Sequence, residues 1–200
     1  MKFLFASDSF KGTITSEQSI RLLREAAQKV FPCCETYGVP VADGGEGTVE
    51  AVIDATGGTM RKVLVSGPLW EKTEASYGVF HENCAIIEMA AASGLPMVPA
   101  ELRNPLNTTT YGTGELIRDA LDAGYRKLAI AIGGSATNDG GMGAMIALGV
   151  RFLDADGREL SGIGVDLEKV VDIDTSGLHP AVKDATFTVM CDVTNPLTGL

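Results

Sequence analysis

Nine residues, Gly133-Gly134-Ser135-Ala136-Thr137-Asn138-Asp139-Gly140-Gly141, constrain this chain more than any other stretch. They stand between an apolar run, Leu128-Ala129-Ile130-Ala131-Ile132, and a helix-like run, Met142-Gly143-Ala144-Met145-Ile146-Ala147-Leu148. Strand, glycine-rich loop and helix in that order form an anion-holding unit. Glycines let the backbone come close, and N–H groups at the start of the helix point at the negative charge. The loop adds two hydroxyls, an amide and a carboxylate. The hydroxyls and amide can bond phosphate or substrate oxygens, and the carboxylate can hold a metal ion or take a proton. An ordinary connection needs about one glycine and a capping residue, so this loop is richer than a turn demands.

Two hundred residues make one large domain or two small ones, and a 45% hydrophobic content allows a sizeable core. The 24 glycines suit an α/β enzyme with several tight loops. A net charge of −10 argues against nucleic acid and anionic membranes as partners, because neither would be attracted. Small anionic substrates remain compatible, since local amides and a few lysines can hold them. Cys33, Cys34, Cys84 and Cys191 form no C-x-x-C pair, and reduced thiols are expected. The apolar start, Met1 to Ala6, is too short for a signal core and is interrupted by Asp8, so the expected location is the cytoplasm.

Residues 3–6 read as a first strand. Thr15-Ser16-Glu17-Gln18 fits a capping box that opens a helix with Ile20, Leu23, Ala27 and Val30 on one face, stopped by Pro32. Residues 37–41 form a short second strand, followed by the glycine-rich Asp43-Gly44-Gly45-Glu46-Gly47-Thr48 and a helix that ends at Gly57-Gly58. The pattern then changes. Residues 61–65, 74–80 and 85–88 read as strands, with His81-Glu82-Asn83 as a hairpin turn. A short helix at 89–93, a helix at 112–123 and an apolar strand at 128–132 follow. Asp154-Ala155-Asp156-Gly157 makes a second hairpin turn, and residues 186–190 a final strand. The expected class is α/β: parallel βα units with additional antiparallel hairpins, and a break in pattern near residue 63.

Four polar loops follow predicted strands: Ser7-Asp8-Ser9-Phe10-Lys11-Gly12, the Asp43 loop, the Gly133 loop, and Asp192-Val193-Thr194-Asn195. In open α/β sheets, ligands bind at the carboxyl ends of strands, so the four loops can converge on one cleft. They supply Asp8, Lys11, Asp43, Glu46, Asp139 and Asp192. Carboxylates can hold magnesium or accept a hydroxyl proton, and lysine and amides stabilise a moving phosphoryl group. Each residue alone has a plainer role: Asp8 and Asp43 in turns, Lys11 in solvent, Glu46 at a helix start. Their joint occurrence at four strand ends favours phosphoryl transfer.

Other chemistries are poorly supported. G-x-x-x-x-G-K-[ST] is absent, no G-x-G-x-x-G follows the first strand, and Gly133-Gly134-Ser135-Ala136-Thr137 ends in Thr where a hydrolase elbow has Gly. His81 sits in a predicted turn and His179 precedes Pro180, which leaves no histidine triad or histidine metal site.

Read together, Asp8-Ser9-Phe10-Lys11-Gly12, Pro40-Val41-Ala42-Asp43-Gly44-Gly45-Glu46-Gly47-Thr48, Ile87-Glu88-Met89-Ala90-Ala91-Ala92-Ser93-Gly94-Leu95, Gly112-Thr113-Gly114-Glu115-Leu116-Ile117, the Gly133 loop and Asp192-Val193-Thr194-Asn195-Pro196-Leu197 resemble the bacterial glycerate kinases. The resemblance spans nearly the whole chain. It implies ATP-dependent phosphorylation of D-glycerate with Mg2+, with 2-phosphoglycerate favoured over 3-phosphoglycerate, by a two-domain enzyme with its site in the interdomain cleft. Residues 1–62 would be a first Rossmann-like or flavodoxin-like segment, completed by C-terminal residues that this chain lacks. Residues 63–200 would be a second α/β domain, incomplete at its C-terminus. Members of the family are nearly twice this length, so this chain corresponds to an N-terminal half.

On this reading Asp192, Asp43 and Lys11 are catalytic. Asp8, Ser9, Gly44, Gly45, Gly133, Gly134, Ser135, Thr137, Asn138 and Asn195 bind substrate or phosphate, and Glu46 and Asp139 bind the metal. A homo-oligomer is compatible with the sequence. Two alternatives stay open: a ligand-sensing fragment without chemistry, and a kinase for another small hydroxy acid or sugar.

Overall fold

In the computed structural model, all residues are described except Lys11, Gly12, Asp43, Glu46, Asp192 and 195–200. The chain begins with a small α/β unit. Strand β1 (Lys2–Ser7) pairs in parallel with β2 (Glu35–Pro40), joined by helix α1 (Ser16–Val30). The predicted capping box is present. Thr15 Oγ1 accepts from the Gln18 N–H at 3.2 Å, and Gln18 Oε1 accepts from the Thr15 N–H at 3.0 Å. The expected apolar stripe is covered only at Ile20, while Leu23 and Val30 stay exposed, because two strands are too narrow to cover the whole helix.

Helix α2 (Thr48–Thr56) follows, ending at Gly57 in the left-handed conformation. Next come β3 (Thr59–Ser66), β4 (Lys72–Phe80) and β5 (Cys84–Glu88), then the short α3 (Ala90–Ser93), α4 (Tyr111–Asp122) and β6 (Lys127–Ala131). Helix α5 (Met142–Ala147), β7 (Arg151–Leu153), β8 (Asp172–Asp174) and β9 (Thr186–Met190) complete the described elements. One five-stranded sheet runs β3-β4-β5-β6-β9. Strands β3, β4 and β5 are antiparallel neighbours, whereas β5, β6 and β9 run parallel. The carboxyl ends of the three parallel strands, at Glu88, Ala131 and Met190, therefore share one edge of the sheet.

Alternation along the strands builds a layer on each face. Ile87, Leu128 and Ile130 join Val65, Tyr77, Leu116 and Leu121 in the main core beneath α4. Ile86 and Ala129 face the opposite way and pack with Val49 and Ile53 of α2. Helix α2 thus packs on the five-stranded sheet.

The second predicted hairpin is only partly formed. Asp154 Oδ1 accepts from the N–H groups of Asp156 and Arg158, and Leu153 bridges Glu159, so the turn is as expected. The main partner of β7 is β8, a three-residue strand too short to show a period-2 pattern.

Candidate active site

The loops after β2 and β6 meet at the end of β9. The Gly133 N–H donates to Gly44 O at 3.0 Å, and the Ile132 N–H donates to Met190 O at 3.5 Å. This crossing needs glycine. A Cβ on Gly133 would lie 2.7 Å from Gly45 Cα, and Gly44, at φ 92°, already faces Met190 O. Gly44 and Gly45 are consequently buried where the loops cross. At the end of β1 the Val41 N–H donates to Ser7 O at 3.2 Å, and Asp8 Oδ1 accepts from the Ser9 N–H at 2.6 Å. Of the predicted site residues, Lys11, Asp43, Glu46, Asp192 and Asn195 lie outside the described residues.

The Gly133 loop is fastened by a run of threonines, Thr108-Thr109-Thr110. Thr108 Oγ1 donates to Ala136 O at 2.9 Å, and Thr137 Oγ1 donates back to Thr108 O at 2.8 Å. Thr109 Oγ1 donates to Gly162 O. Thr110 offers both its N–H and its hydroxyl to Asp139 Oδ2, at 2.7 and 2.8 Å. All three threonines are buried. On the other side, the Leu95 N–H donates to Gly134 O and the Ala136 N–H donates to Ser93 O.

This fastening changes how the loop can hold an anion. The N–H groups at the start of α5 were expected to point at the ligand. Instead, Met142 donates to Asp139 O, Gly143 to Asp139 Oδ2 and Ala144 to Thr110 Oγ1. The helix start is already satisfied internally. The N–H groups of Gly134 and Ser135 have no protein partner among the described residues, and they sit where Gly134 turns at φ 74°. Two successive free amides on a glycine turn fit an anion. Asn138 is exposed beside them. Ser135 Oγ donates to Thr137 O and accepts from the Thr137 N–H, so its hydroxyl must turn outward to reach a ligand.

Asp139 sits differently from the open ligand position expected of it. It is 1% exposed, and its carboxylate accepts from Thr110 N and Oγ1, Gly141 N and Gly143 N. Three of the four bonds end on Oδ2 and one on Oδ1, and together they tie the starts of α4 and α5 together. No group of three metal-ligating side chains occurs among the described residues.

Glu88 was missed as a site residue. It closes β5 opposite Ala131, the last residue of β6, and is 6% exposed. The start of α2, at Gly47, Thr48 and Val49, lies near its carboxylate, with backbone N–H groups turned toward it. Burial pushes the Glu88 carboxyl up to about 7, helped by the nearby charge of Glu50, and the three N–H groups oppose the rise without reversing it. The available signal was a lone acid ending the apolar run Ala85-Ile86-Ile87.

A pH dependence of stability follows. The folded state holds the Glu88 proton more tightly than the unfolded chain does. Its stabilising contribution is therefore full below the ordinary carboxyl range and is lost as pH rises through about 7. Glu88→Gln stays neutral, so its melting temperature relative to the parent should rise between pH 5 and pH 8 by the equivalent of about 2 kcal/mol. Thermal unfolding of both proteins at the two pH values checks this, and an unchanged difference would contradict it.

Comparison with known proteins gives the family. The glycerate kinase family model matches residues 3–200. The chain belongs to the glycerate kinase family. It is 51% identical over 200 residues to a glycerate 2-kinase of Escherichia coli (strain K12) and 49% identical to a glycerate kinase of Bacillus subtilis (strain 168), covering 52% of each. A solved structure of a glycerate kinase 2 from Salmonella typhimurium LT2 superposes with a TM-score of 0.84 at 48% identity, covering all of this chain and 54% of that one. The chain thus spans about half the length of the curated relatives it matches. The expected mixed α/β fold is the one observed.

Proposed function

We propose that the protein to which these residues belong is an ATP-dependent kinase that phosphorylates D-glycerate, with 2-phosphoglycerate as product. The observation that carries this reading is the crossing of two glycine-rich loops at parallel strand ends, with the Gly134 and Ser135 amides free beside it, in a member of the glycerate kinase family. Gly133 and Gly134 shape the anion-holding turn, and Ser135, Thr137 and Asn138 contact phosphate or glycerate. Gly44 and Gly45 support that turn from behind. Asp8, Ser9 and Asn195 complete the substrate side.

Asp192 accepts the proton of the attacking hydroxyl, with Asp43 beside it in role, and Lys11 stabilises the transferred phosphoryl group. Magnesium, when bound, offsets charge on the nucleotide phosphates. The hard carboxylate oxygens of Glu46, Asp43 and Asp192 suit it by chemistry. Asp139 is reassigned from metal ligand to positioning residue, since its oxygens are engaged. The small-molecule substrates and the net charge of −10 fit a cytoplasmic enzyme without nucleic-acid or membrane partners. Among the described residues, no helix is long and apolar enough to cross a membrane.

The test is ADP release by the complete gene product with ATP, Mg2+ and D-glycerate, with phosphorus NMR of the product. Turnover with the phosphate on O2 is the expected result. Phosphate on O3 would reverse the regiochemistry. Turnover only with another hydroxy acid or a sugar would replace the substrate, and ligand-induced stabilisation without ADP would favour a sensor.

A further inference from the structure

The free amides of Gly134 and Ser135 supply donors for an anion but no full charge, and they stand in a chain of net charge −10. An anion that settles there needs a cation close by. The segments that carry or fasten this turn hold almost none. Residues 38–60 and 128–150 contain neither lysine nor arginine, and residues 73–117 contain Arg103 alone.

Arg103 lies on the stretch 94–108, which is bonded to the Gly133 loop on both sides of it. Before Arg103, the Leu95 N–H donates to Gly134 O at 2.9 Å, and Gly94 bridges Ser135. After it, Pro105 O accepts from the Asn138 N–H at 3.5 Å, and Thr108 Oγ1 donates to Ala136 O at 2.9 Å. The arginine is thus carried along the loop that turns at Gly134. Its side chain is fixed at one point. Nε donates to Val98 O at 3.1 Å, and Val98 is buried and tied by its own N–H to Leu95 O at 3.2 Å. The residue is exposed, and among the described residues the two terminal nitrogens of its guanidinium have no hydrogen-bond or ion-pair partner. By contrast, Arg61, Arg118, Arg151 and Arg158 each face a carboxylate. A guanidinium held at Nε with its outer edge free is preorganised for an acceptor with two oxygens.

We propose that Arg103 is a further binding residue of the candidate site: its guanidinium receives an oxyanion of the ligand that the Gly134 and Ser135 amides hold. In the proposed kinase reaction, on which the choice of group rests, that oxyanion is the carboxylate of the acceptor hydroxy acid. A planar guanidinium matches a planar carboxylate through two parallel hydrogen bonds. Arg103 then reads the acid function of the substrate, and a polyol without it loses the pair. A nucleotide phosphate offers the same oxyanion chemistry, and the two sources separate in the test.

The test uses the complete gene product, with steady-state kinetics in one arm and calorimetric titration with D-glycerate alone, then ATP alone, in the other. Arg103→Ala should raise KM for D-glycerate and weaken its binding by about 10- to 100-fold, with KM for ATP and kcat within about threefold of the parent. Arg103→Lys keeps the charge without the fork and should lose about threefold to tenfold. Guanidinium ion added at millimolar concentration should restore part of the D-glycerate affinity of the alanine variant, which a merely structural role of Arg103 would not allow. If the alanine variant does not fold, the lysine variant carries the test, and parental D-glycerate and ATP affinities in it would overturn the proposal. Parental affinity for both ligands in the alanine variant would also overturn it. So would equal losses for both ligands without guanidinium rescue, since Arg103 would then only brace its own stretch through Val98. A loss confined to ATP would keep the oxyanion site and assign it to a nucleotide phosphate. A parent protein that binds D-glycerate without turnover, and binds it more weakly as Arg103→Ala, would keep the residue's role and reject the kinase reading.

Discussion

Replacing Asp139 with alanine is expected to lower the melting temperature of the complete protein by about 4 °C, corresponding to a loss of about 3 kcal/mol or more. The reasoning is an inventory of donors. The carboxylate accepts from Thr110 N, Thr110 Oγ1, Gly141 N and Gly143 N at 2.7 to 3.1 Å, in a site from which water is excluded. Alanine leaves all four buried without a partner, and each such group costs about 1–3 kcal/mol when no water replaces the acceptor. Partial relaxation keeps the total below the simple sum. Asp139→Asn should recover little, because its amide brings two further donors into a corner that already has only donors. Thermal unfolding of the three proteins decides the matter. A drop of under about 2 °C for the alanine variant would show that the starts of α4 and α5 are held by something else.

The second large effect is on turnover. Asp192→Asn should reduce kcat by roughly 100-fold, with KM for D-glycerate within about threefold of the parent. The residue follows β9, whose carboxyl end lies beside those of β5 and β6. On the proposed reading Asp192 takes the hydroxyl proton, and an isosteric amide removes the basicity while keeping shape. Steady-state kinetics with ATP and D-glycerate provide the measurement. A variant with parental kcat would move the proton acceptor to Asp43, and a matched fall in kcat and rise in KM would make Asp192 a binding residue.

How much of this was legible in the sequence depends on the range of the interaction. Local signals read true: the Thr15–Gln18 capping box, the left-handed Gly57 after α2, the hairpin turn at His81 with φ 53°, and the strand at 186–190. Each is decided within a few residues. The loops at strand ends were also visible, because glycine clusters after apolar runs are a local pattern. What escaped notice was decided across the chain. Nothing in Thr108-Thr109-Thr110 says that its hydroxyls will fasten a loop 28 or more residues away. Nothing near Asp139 says that its oxygens will be consumed by its own helix start and by Thr110 rather than by a ligand. Glu88 looked like the end of a strand, and only the packing of α2 near that end buries it.

The two rims of the five-stranded sheet are finished differently. Strand β3 carries Arg61 and Lys62 on its two faces, paired with Asp119 and Glu74, and such charges on a rim strand discourage another strand from pairing there. Strand β9, Thr186-Phe187-Thr188-Val189-Met190, carries no charge, and Phe187 and Val189 are exposed. Among the described residues no strand pairs with the outer side of β9, and an uncharged rim of that kind is an adhesive seam. Residues 1–200 handled by themselves should therefore self-associate through β9 as concentration rises, and sedimentation or light scattering on that stretch would report the stickiness of a rim rather than the assembly state of the enzyme.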